Sequence, residues 1–349
     1  MKNGNIQEQL DSNRRSVAFD SYDLAVRQLV DMLIEEMIDI APEYQRHFKW
    51  NSERQSQLIE SLLLGIPVPS LFMATNKDST WEVVDGLQRL TTLVNFVCSD
   101  EQIATINFNS KKLRLTGLQK LDSMDGMYFE ELPKSVQIMF LTRPIKVTVL
   151  NDRSDFGVRY DLFERLNTGG IILHPQEIRN CIFIGDFNNF IKECAQNLNF
   201  RSVLKLPKDA ERSGSLEELA LKFFAYYERP DKFVHSVKEF LNDYMKEKTT
   251  VFKNKNILRQ VFESTFKTLD DKLPNGIVRG TRKNTTPIVL YEAISVGVAS
   301  AISDGMAIDA KMLKGLLDDA NLKKLTTGAT NSRKMLLERI DLVKEGCHT

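Results

Sequence analysis

Segments that alternate between apolar and polar residues, as β-strands do, are confined to the first half of this 349-residue chain. Residues 68–74, 81–85 and 144–150 are such segments, whereas only helical spacing of apolar residues remains beyond about residue 187. The sequence therefore predicts an α+β first part and an all-helical second part. The predicted boundaries are a loosely ordered N-terminus at 1–17, an α+β domain at 18–186 and a helical domain at 187–349.

Helices are predicted wherever apolar residues recur every three or four positions. One of them begins at Ser52, which is predicted as the N-cap because Gln55 follows three residues later and completes a capping box. Further helices of the first part are predicted at 22–38, 88–97, 156–166 and 175–184. Those of the second part are predicted at 216–227, 234–246, 256–269, 287–301 and 310–317.

Composition limits the classes of partner. Lys plus Arg equals Asp plus Glu, at 47 each, so no net charge draws the chain to nucleic acid or to an anionic membrane. DNA contact would need a local patch, and the basic clusters at 111–114 and 279–283 are either phosphate contacts or, more commonly, solvated surface. The four cysteines form no Cys-x-x-Cys motif, which favours reduced thiols. Without a signal-like or membrane-spanning run, a cytoplasmic location and no membrane partner are expected.

The most informative segment is 82–93, where a strand ends at Asp85, Gly86 breaks it and a helix begins. The first N–H groups of a helix attract anions, and a glycine lets the backbone approach a ligand closely. Arg89 suits bidentate contact with phosphate, while Gln88 offers both a donor and an acceptor. Next to phosphate, Asp85 would need an intervening cation such as Mg²⁺, or a sugar hydroxyl as its partner. Hydroxyl contacts are also expected from Thr91 and Thr92.

Spacing alone allows another interpretation of this segment, in which Asp85 caps the helix and Arg89 forms a surface salt bridge. The segment contains neither a Walker-type loop nor Gly-x-Gly-x-x-Gly, so any nucleotide pocket here is of a different kind.

A second group of polar residues surrounds a predicted turn between two helices. Two adjacent glycines would permit a backbone nest for an anion, and the helix that follows would present Gln176 and Asn180 on one face. An ordinary inter-helix turn explains the same residues equally well. The candidate contacts are Arg165, Asn167, Thr168, Gly169, Gly170, Gln176, Glu177, Arg179 and Asn180.

Four ordered blocks resemble the family named for its Asp-Gly-Gln-Gln-Arg motif, whose domain opens GmrSD-type modification-dependent restriction enzymes. The resemblance is close over about 40–185, and Leu87 stands where the named motif has its first Gln. The blocks are Tyr44-Gln45-Arg46 with Trp50, Leu58-Ile59-Glu60-Ser61 with Gly65-Ile66-Pro67-Val68-Pro69, Asp85-Gly86-Leu87-Gln88-Arg89-Leu90-Thr91-Thr92, and 163–170 with 176–180.

The resemblance implies a fold related to ParB and sulfiredoxin, and a nucleoside triphosphate (GTP or ATP) bound with Mg²⁺. It also implies that Asp85, Gln88 and Arg89 act in hydrolysis, with Asp85 on the metal. Gln45 and Arg46 are expected to contact the ligand, Arg46 more directly, whereas Trp50 is expected in the core.

The larger enzymes of that family carry a His-Asn-His nuclease, but the four histidines here have no such spacing. The first hypothesis is thus a nucleotide-dependent sensor of anti-phage defence that works with a separately encoded effector. The alternatives are a ParB-like nuclease with metal on Asp85 and Glu177, and a non-enzymatic DNA-binding adaptor. Modified or phage DNA is an expected partner in each, and self-association is compatible with all three.

Overall fold

The computed structural model describes residues 19–40, 50–76, 78–106, 111–151, 174–207, 214–280 and 284–348, together with residues 6, 8, 160, 161, 164 and 165. By its internal contacts the chain divides into two compact units, Met1–Ile172 and Leu173–Thr349.

A five-stranded mixed sheet organises the first unit, with strand order β1-β5-β3-β4-β2. β1 pairs antiparallel with β5, β3 pairs parallel with β5 and antiparallel with β4, and β2 pairs parallel with β4. The strands are β1 (Phe19–Ala25), β2 (Ile38–Asp39), β3 (Leu71–Thr75), β4 (Trp81–Asp85) and β5 (Pro144–Leu150). The helices of this unit are α1 (Val26–Ile34), α2 (Ser52–Leu63), α3 (Leu87–Val97), α4 (Asp100–Thr105) and α5 (Lys134–Leu141).

The core of the first unit lies on one face of the sheet. Val147 and Val149 of β5 and Met73 of β3 are buried, and the helices supply Leu29, Leu93 and other apolar residues. Phe96, Phe129 and Phe140 form an aromatic cluster in which the Phe96 ring lies 5.2 Å from that of Phe140. This packing fixes α3, and therefore the turn before it, against the sheet.

The regular elements of the second unit, within its described residues, are helices, with an isolated bridge between Ile308 and His348. The prediction that β structure ends before the helical part is confirmed. Phenylalanines from several helices, among them Phe200, Phe224 and Phe262, make up its core. Its helices are α6 (Pro175–Ile182), α7 (Asp186–Ala195), α8 (Leu198–Ser202), α9 (Ser215–Glu228), α10 (Val237–Thr250), α11 (Lys255–Lys272), α12 (Ile288–Ser303), α13 (Ala310–Leu317), α14 (Ala320–Leu325) and α15 (Arg333–Gly346).

Three local predictions need correction. Residues 22–25 belong to β1 rather than to a helix, and residue 38 belongs to β2. The N-cap of α2 is Asn51, whose side-chain oxygen accepts from the Arg54 N–H at 2.9 Å, so Ser52 is the first helical residue. The helix α6, which was predicted as the end of the first domain, packs within the helical unit through α9 and α10. Within the described part of the chain, no helix combines the length and the hydrophobicity that crossing a bilayer requires.

Candidate functional site

The turn from β4 to α3 depends on the conformation of Gly86. This residue occupies the N-cap position of α3 with φ 104° and ψ 10°, a left-handed conformation that favours glycine. A Cβ atom there would lie 2.3 Å from Leu71 Cδ2 and 3.1 Å from Arg89 Nη2. Strand, turn and guanidinium are therefore packed too closely for any side chain at this position.

Arg89 and Asp85 form a partly buried ion pair across this turn. Arg89 Nη2 lies 2.8 Å from Asp85 Oδ2 and also donates to the Ser70 carbonyl at 3.3 Å. The side chains are 15% and 27% exposed for Arg89 and Asp85, respectively. The sequence also allows Arg89 to form a surface salt bridge. The salt bridge is present, but it is partly buried rather than at the surface. Asp85 does not cap α3, because the cap position belongs to Gly86 and has no side-chain bond.

The Nε edge of the Arg89 guanidinium has no hydrogen-bond partner among the described residues. The Nε atom itself is buried. Thr91 is similar, since it is 1% exposed and its hydroxyl is also without a bond among the described residues. Buried donors of this kind are costly unless a ligand or water satisfies them.

Gln88 is held in place by a chain of amides. Its Oε1 accepts from the Trp50 N–H at 3.1 Å, and Gln55 Nε2 donates to the Trp50 carbonyl at 3.1 Å. Asn95 Nδ2 then donates to Gln55 Oε1, also at 3.1 Å, in a buried contact. Sequence reasoning missed Ser70, Gln55 and Asn95 as supports of the site. Trp50, expected in the core, is half-buried with the Arg54 guanidinium 4.9 Å above its ring.

The described residues of the second group lie mostly inside the helical unit. Glu177 accepts from the His174 N–H at 2.7 Å and so closes the start of α6. Arg179 is 1% exposed and donates to Gln176, Asn242 and Glu218. Asn180 accepts from the Gln176 amide at 3.1 Å. Arg165 is described as helical and exposed, whereas Gln45, Arg46, Asn167, Thr168, Gly169 and Gly170 lie outside the described residues.

Arg179 is the first member of a ladder of alternating charges, Arg179–Glu218–Lys222–Glu292–Arg339, that crosses the helical unit. The successive distances are 3.2, 3.3, 3.5 and 2.8 Å. Burial raises the pKa of Glu218, but the Lys222 and Arg179 charges outweigh it and hold that pKa below its ordinary value. Arg179, which the sequence predicts as a ligand contact, thus takes part in a buried charge network of the helical unit.

Three residues of the two basic clusters make structural contacts, while residues 281–283 of the second cluster lie outside the described residues. Lys112 pairs with Glu130, and Arg114 donates to the Gly126 carbonyl at 2.6 Å. Arg279 Nε donates to the Leu317 carbonyl at 2.6 Å, which satisfies the C-terminal end of α13. These contacts favour a structural role for Lys112, Arg114 and Arg279, and the interpretation of residues 281–283 stays a prediction.

The cysteine thiols and the possible metal ligands do not form a reactive site among the described residues. Burial raises the pKa of the Cys98 and Cys347 thiols to about 11 and that of Cys194 to about 12, so these thiols stay protonated. Within the described ranges, no three His, Cys, Asp or Glu residues come together to hold a metal ion.

Comparison with known proteins relates the first part of the chain to a family. Residues 26–184 match the family model described as the N-terminal domain of the GmrSD restriction endonuclease, so this part of the chain is similar to that domain. No curated protein sequence matches the chain. A solved structure described as a Pnob8-like ParB-N domain is 12% identical over 93% of this chain and 98% of that one, with a TM-score of 0.23. A score this low supports no conclusion about the fold, so the relation to ParB and sulfiredoxin stays a prediction.

Proposed function

We propose that the first unit binds a nucleoside triphosphate, GTP or ATP, at the turn between β4 and α3, and that it does so in restriction-related defence. The observation that carries this proposal is the buried Arg89 Nε, a donor with no bond among the described residues, at the start of a helix behind a left-handed glycine. Helix N-terminus and guanidinium together suit a phosphate group. The family match supplies the link to restriction enzymes.

Asp85 has two roles in this proposal. Without ligand, it neutralises Arg89 through the 2.8 Å contact. When phosphate takes over the guanidinium, the released carboxylate is available for Mg²⁺, which commonly binds one or two carboxylates together with phosphate oxygens. Nucleotide and cation should therefore strengthen each other's binding at this site.

Hydrolysis is the activity that we assign to this arrangement. Mg²⁺ on Asp85 and the charge of Arg89 would neutralise the phosphoryl oxygens, and the anchored Gln88 would orient water. The outcome of hydrolysis would pass to a separately encoded effector. A nuclease in this chain has less support, because Glu177 closes α6 through His174 in the helical unit.

Calorimetric titration of the whole chain with each of the four triphosphates, with and without Mg²⁺, tests the proposal. Arg89→Ala should lower affinity roughly ten- to a hundredfold, because it removes charge-assisted bonds worth about 1.5–3 kcal/mol each. Arg89→Lys should be nearly as harmful, since an ammonium lacks the planar fork.

The matched control is Arg27→Ala. Arg27 also forms an (i, i+4) pair with an aspartate, Asp31, in the same unit, but at 3.9 Å and with its side chain 70% exposed. A folded Arg89→Ala protein that binds every triphosphate as tightly as the parent would show that the nucleotide site is not here.

A further inference from the structure

A row of half-buried and exposed residues crosses the sheet from Asp85. Asp85 is opposite Phe72 of β3, Phe72 is opposite Thr148 of β5, and Thr148 is opposite Ser21 of β1. Residues directly opposite each other project from the same face of a sheet. Asp85, Phe72 and Thr148 are half-buried and Ser21 is exposed, so solvent reaches this row, whereas the next row on the same face, Glu82, Ala74 and Leu150, is buried.

A β-bulge brings Asp85 into this row. Met73 is opposite Val83 but Phe72 is opposite Asp85, which leaves Val84 as the extra residue of β4. Bulges turn side chains and are common next to functional sites. The bulge consequently places Asp85 opposite Phe72 at the end of its strand.

The composition of the row points to one class of ligand. It contains one aromatic ring between a carboxylate and two hydroxyls. Two strand spacings, about 10 Å, separate Asp85 from Thr148, which is the scale of a nucleoside. An aromatic ring accepts any base on its face, and a neighbouring hydroxyl can distinguish base edges.

We propose that Phe72 is the stacking platform for the nucleobase and that the Thr148 hydroxyl contributes to the choice of base. This inference rests on the proposed function, because it extends from the phosphate site at Arg89. Base stacking on a protein ring commonly changes affinity by roughly ten- to a hundredfold.

Titration with a nucleoside triphosphate and with inorganic tripolyphosphate, which has no base, separates the two sites. The probe is whichever of the four triphosphates the parent binds most tightly. Phe72→Leu should weaken its binding at least about tenfold while leaving tripolyphosphate affinity unchanged, and Phe72→Tyr should restore binding. Thr148→Val should alter the ranking of the four triphosphates. The control Phe19→Leu changes another ring on the same face, 60% exposed on the edge strand, and should have no effect.

Each remaining outcome decides against the inference in a recognisable way. If Phe72→Leu binds the triphosphate like the parent, or loses tripolyphosphate equally, Phe72 does not recognise the base. Equal affinity of the parent for triphosphate and tripolyphosphate would leave the phosphate site standing but remove the base site. A parent that binds neither probe would contradict the proposed function itself. Should Phe72→Leu be unfolded in thermal melting, an unchanged ranking in Thr148→Val would overturn the inference.

Discussion

At the scale of single residues, Gly86 shows how little freedom the signature turn has. Gly86→Ala should destabilise the first unit by about 3 kcal/mol, because it combines a positive φ with a Cβ atom 2.3 Å from Leu71. Both tryptophans, Trp50 and Trp81, lie in this unit, so urea unfolding followed by tryptophan fluorescence measures it selectively.

Gly65→Ala is the control for that measurement. Gly65 also has a positive φ, 75°, but its nearest neighbour, the Arg143 guanidinium, is 3.6 Å from the Cβ position. Gly65→Ala should therefore lower the free energy of unfolding only by the cost of placing an alanine in the left-handed conformation, about 1–2 kcal/mol. Equal losses in the two variants would mean that the close approach to Leu71 is unimportant.

Because Asp85 and phosphate compete for Arg89, removing the Asp85 charge should change tripolyphosphate affinity in opposite directions without and with Mg²⁺. Without metal, Asp85→Asn should bind tripolyphosphate about three- to tenfold more tightly, since a carboxylate 2.8 Å from the guanidinium has been removed. With Mg²⁺ present, the same variant should bind more weakly than the parent. Titration in the two conditions checks this, with Asp31→Asn as control. A variant that matches the parent in both would show that Asp85 has no electrostatic role.

At the scale of elements, Glu60 links α2 to the segment that follows α4. Its carboxylate accepts from the N–H groups of Gln119, Lys120 and Leu121 at 3.0, 2.6 and 2.9 Å. Burial raises the pKa of Glu60, but these three donors outweigh it and hold the pKa below its ordinary value. Glu60, which belongs to the second of the four blocks that resemble the family, thus has a structural role.

The lowered pKa predicts a pH dependence of stability. The contribution of Glu60 is fully present above the ordinary carboxyl pKa of 4.5 and is lost as the pH falls through the lower folded-state value. Glu60→Gln should cost about 1–2 kcal/mol at neutral pH and should lose this acid sensitivity. Urea unfolding of parent and variant from neutral pH to about pH 3, followed by tryptophan fluorescence, measures both effects. Exposed Glu53 in the same helix provides the control Glu53→Gln, and an equal acid response in Glu60→Gln and parent would refute the assignment.

Elements with a strong local pattern were predictable from sequence. The bounds of β4, β5 and α13 agree with the predicted ranges, because alternation or helical spacing there coincides with real burial. β1 was missed since Tyr22 and Val26 continue the helical spacing of α1, and only pairing with the distant β5 makes residues 19–25 a strand.

The candidate site was predictable only in part for the same reason. Asp85, Gly86 and Arg89 follow from the order of strand, glycine and helix. The support of Gln88 by Trp50 and the neighbourhood of Phe72 and Thr148 depend on contacts between segments far apart in sequence. No local spacing reveals such a register.

At the scale of the whole molecule, the charge ladder makes the helical unit dependent on its last helix. Arg339 is 1% exposed and lies 2.8 Å from Glu292, so Arg339→Met should destabilise this unit by about 3 kcal/mol. Far-ultraviolet circular dichroism during urea unfolding reports mainly on this unit, which holds ten of the fifteen described α-helices, and tryptophan fluorescence reports separately on the first unit. The control Lys334→Met removes an 83% exposed partner from the same helix and should change stability by less than about 0.5 kcal/mol. Similar losses in both variants would argue against a special role of the ladder.

The activity of the chain as a whole gives one more prediction. Plasmid incubated with the purified protein, Mg²⁺ or Mn²⁺ and each triphosphate should remain uncut, since the sequence has no His-Asn-His spacing. Nicking that persists through purification but disappears in Asp85→Ala would favour the ParB-like nuclease instead.

The position of Arg339 in the last described helix also affects the order in which the two units can fold during translation. All five strands of the sheet have been made once Leu150 has been added, so the first unit can fold while the ribosome is still at work. The helical unit cannot complete its folding this early, because Glu292 acquires its arginine partner only when α15 has been synthesised. Until then its helices expose apolar surface and an incompletely matched carboxylate. Chaperones that attend this protein during translation should therefore meet mainly the helical unit.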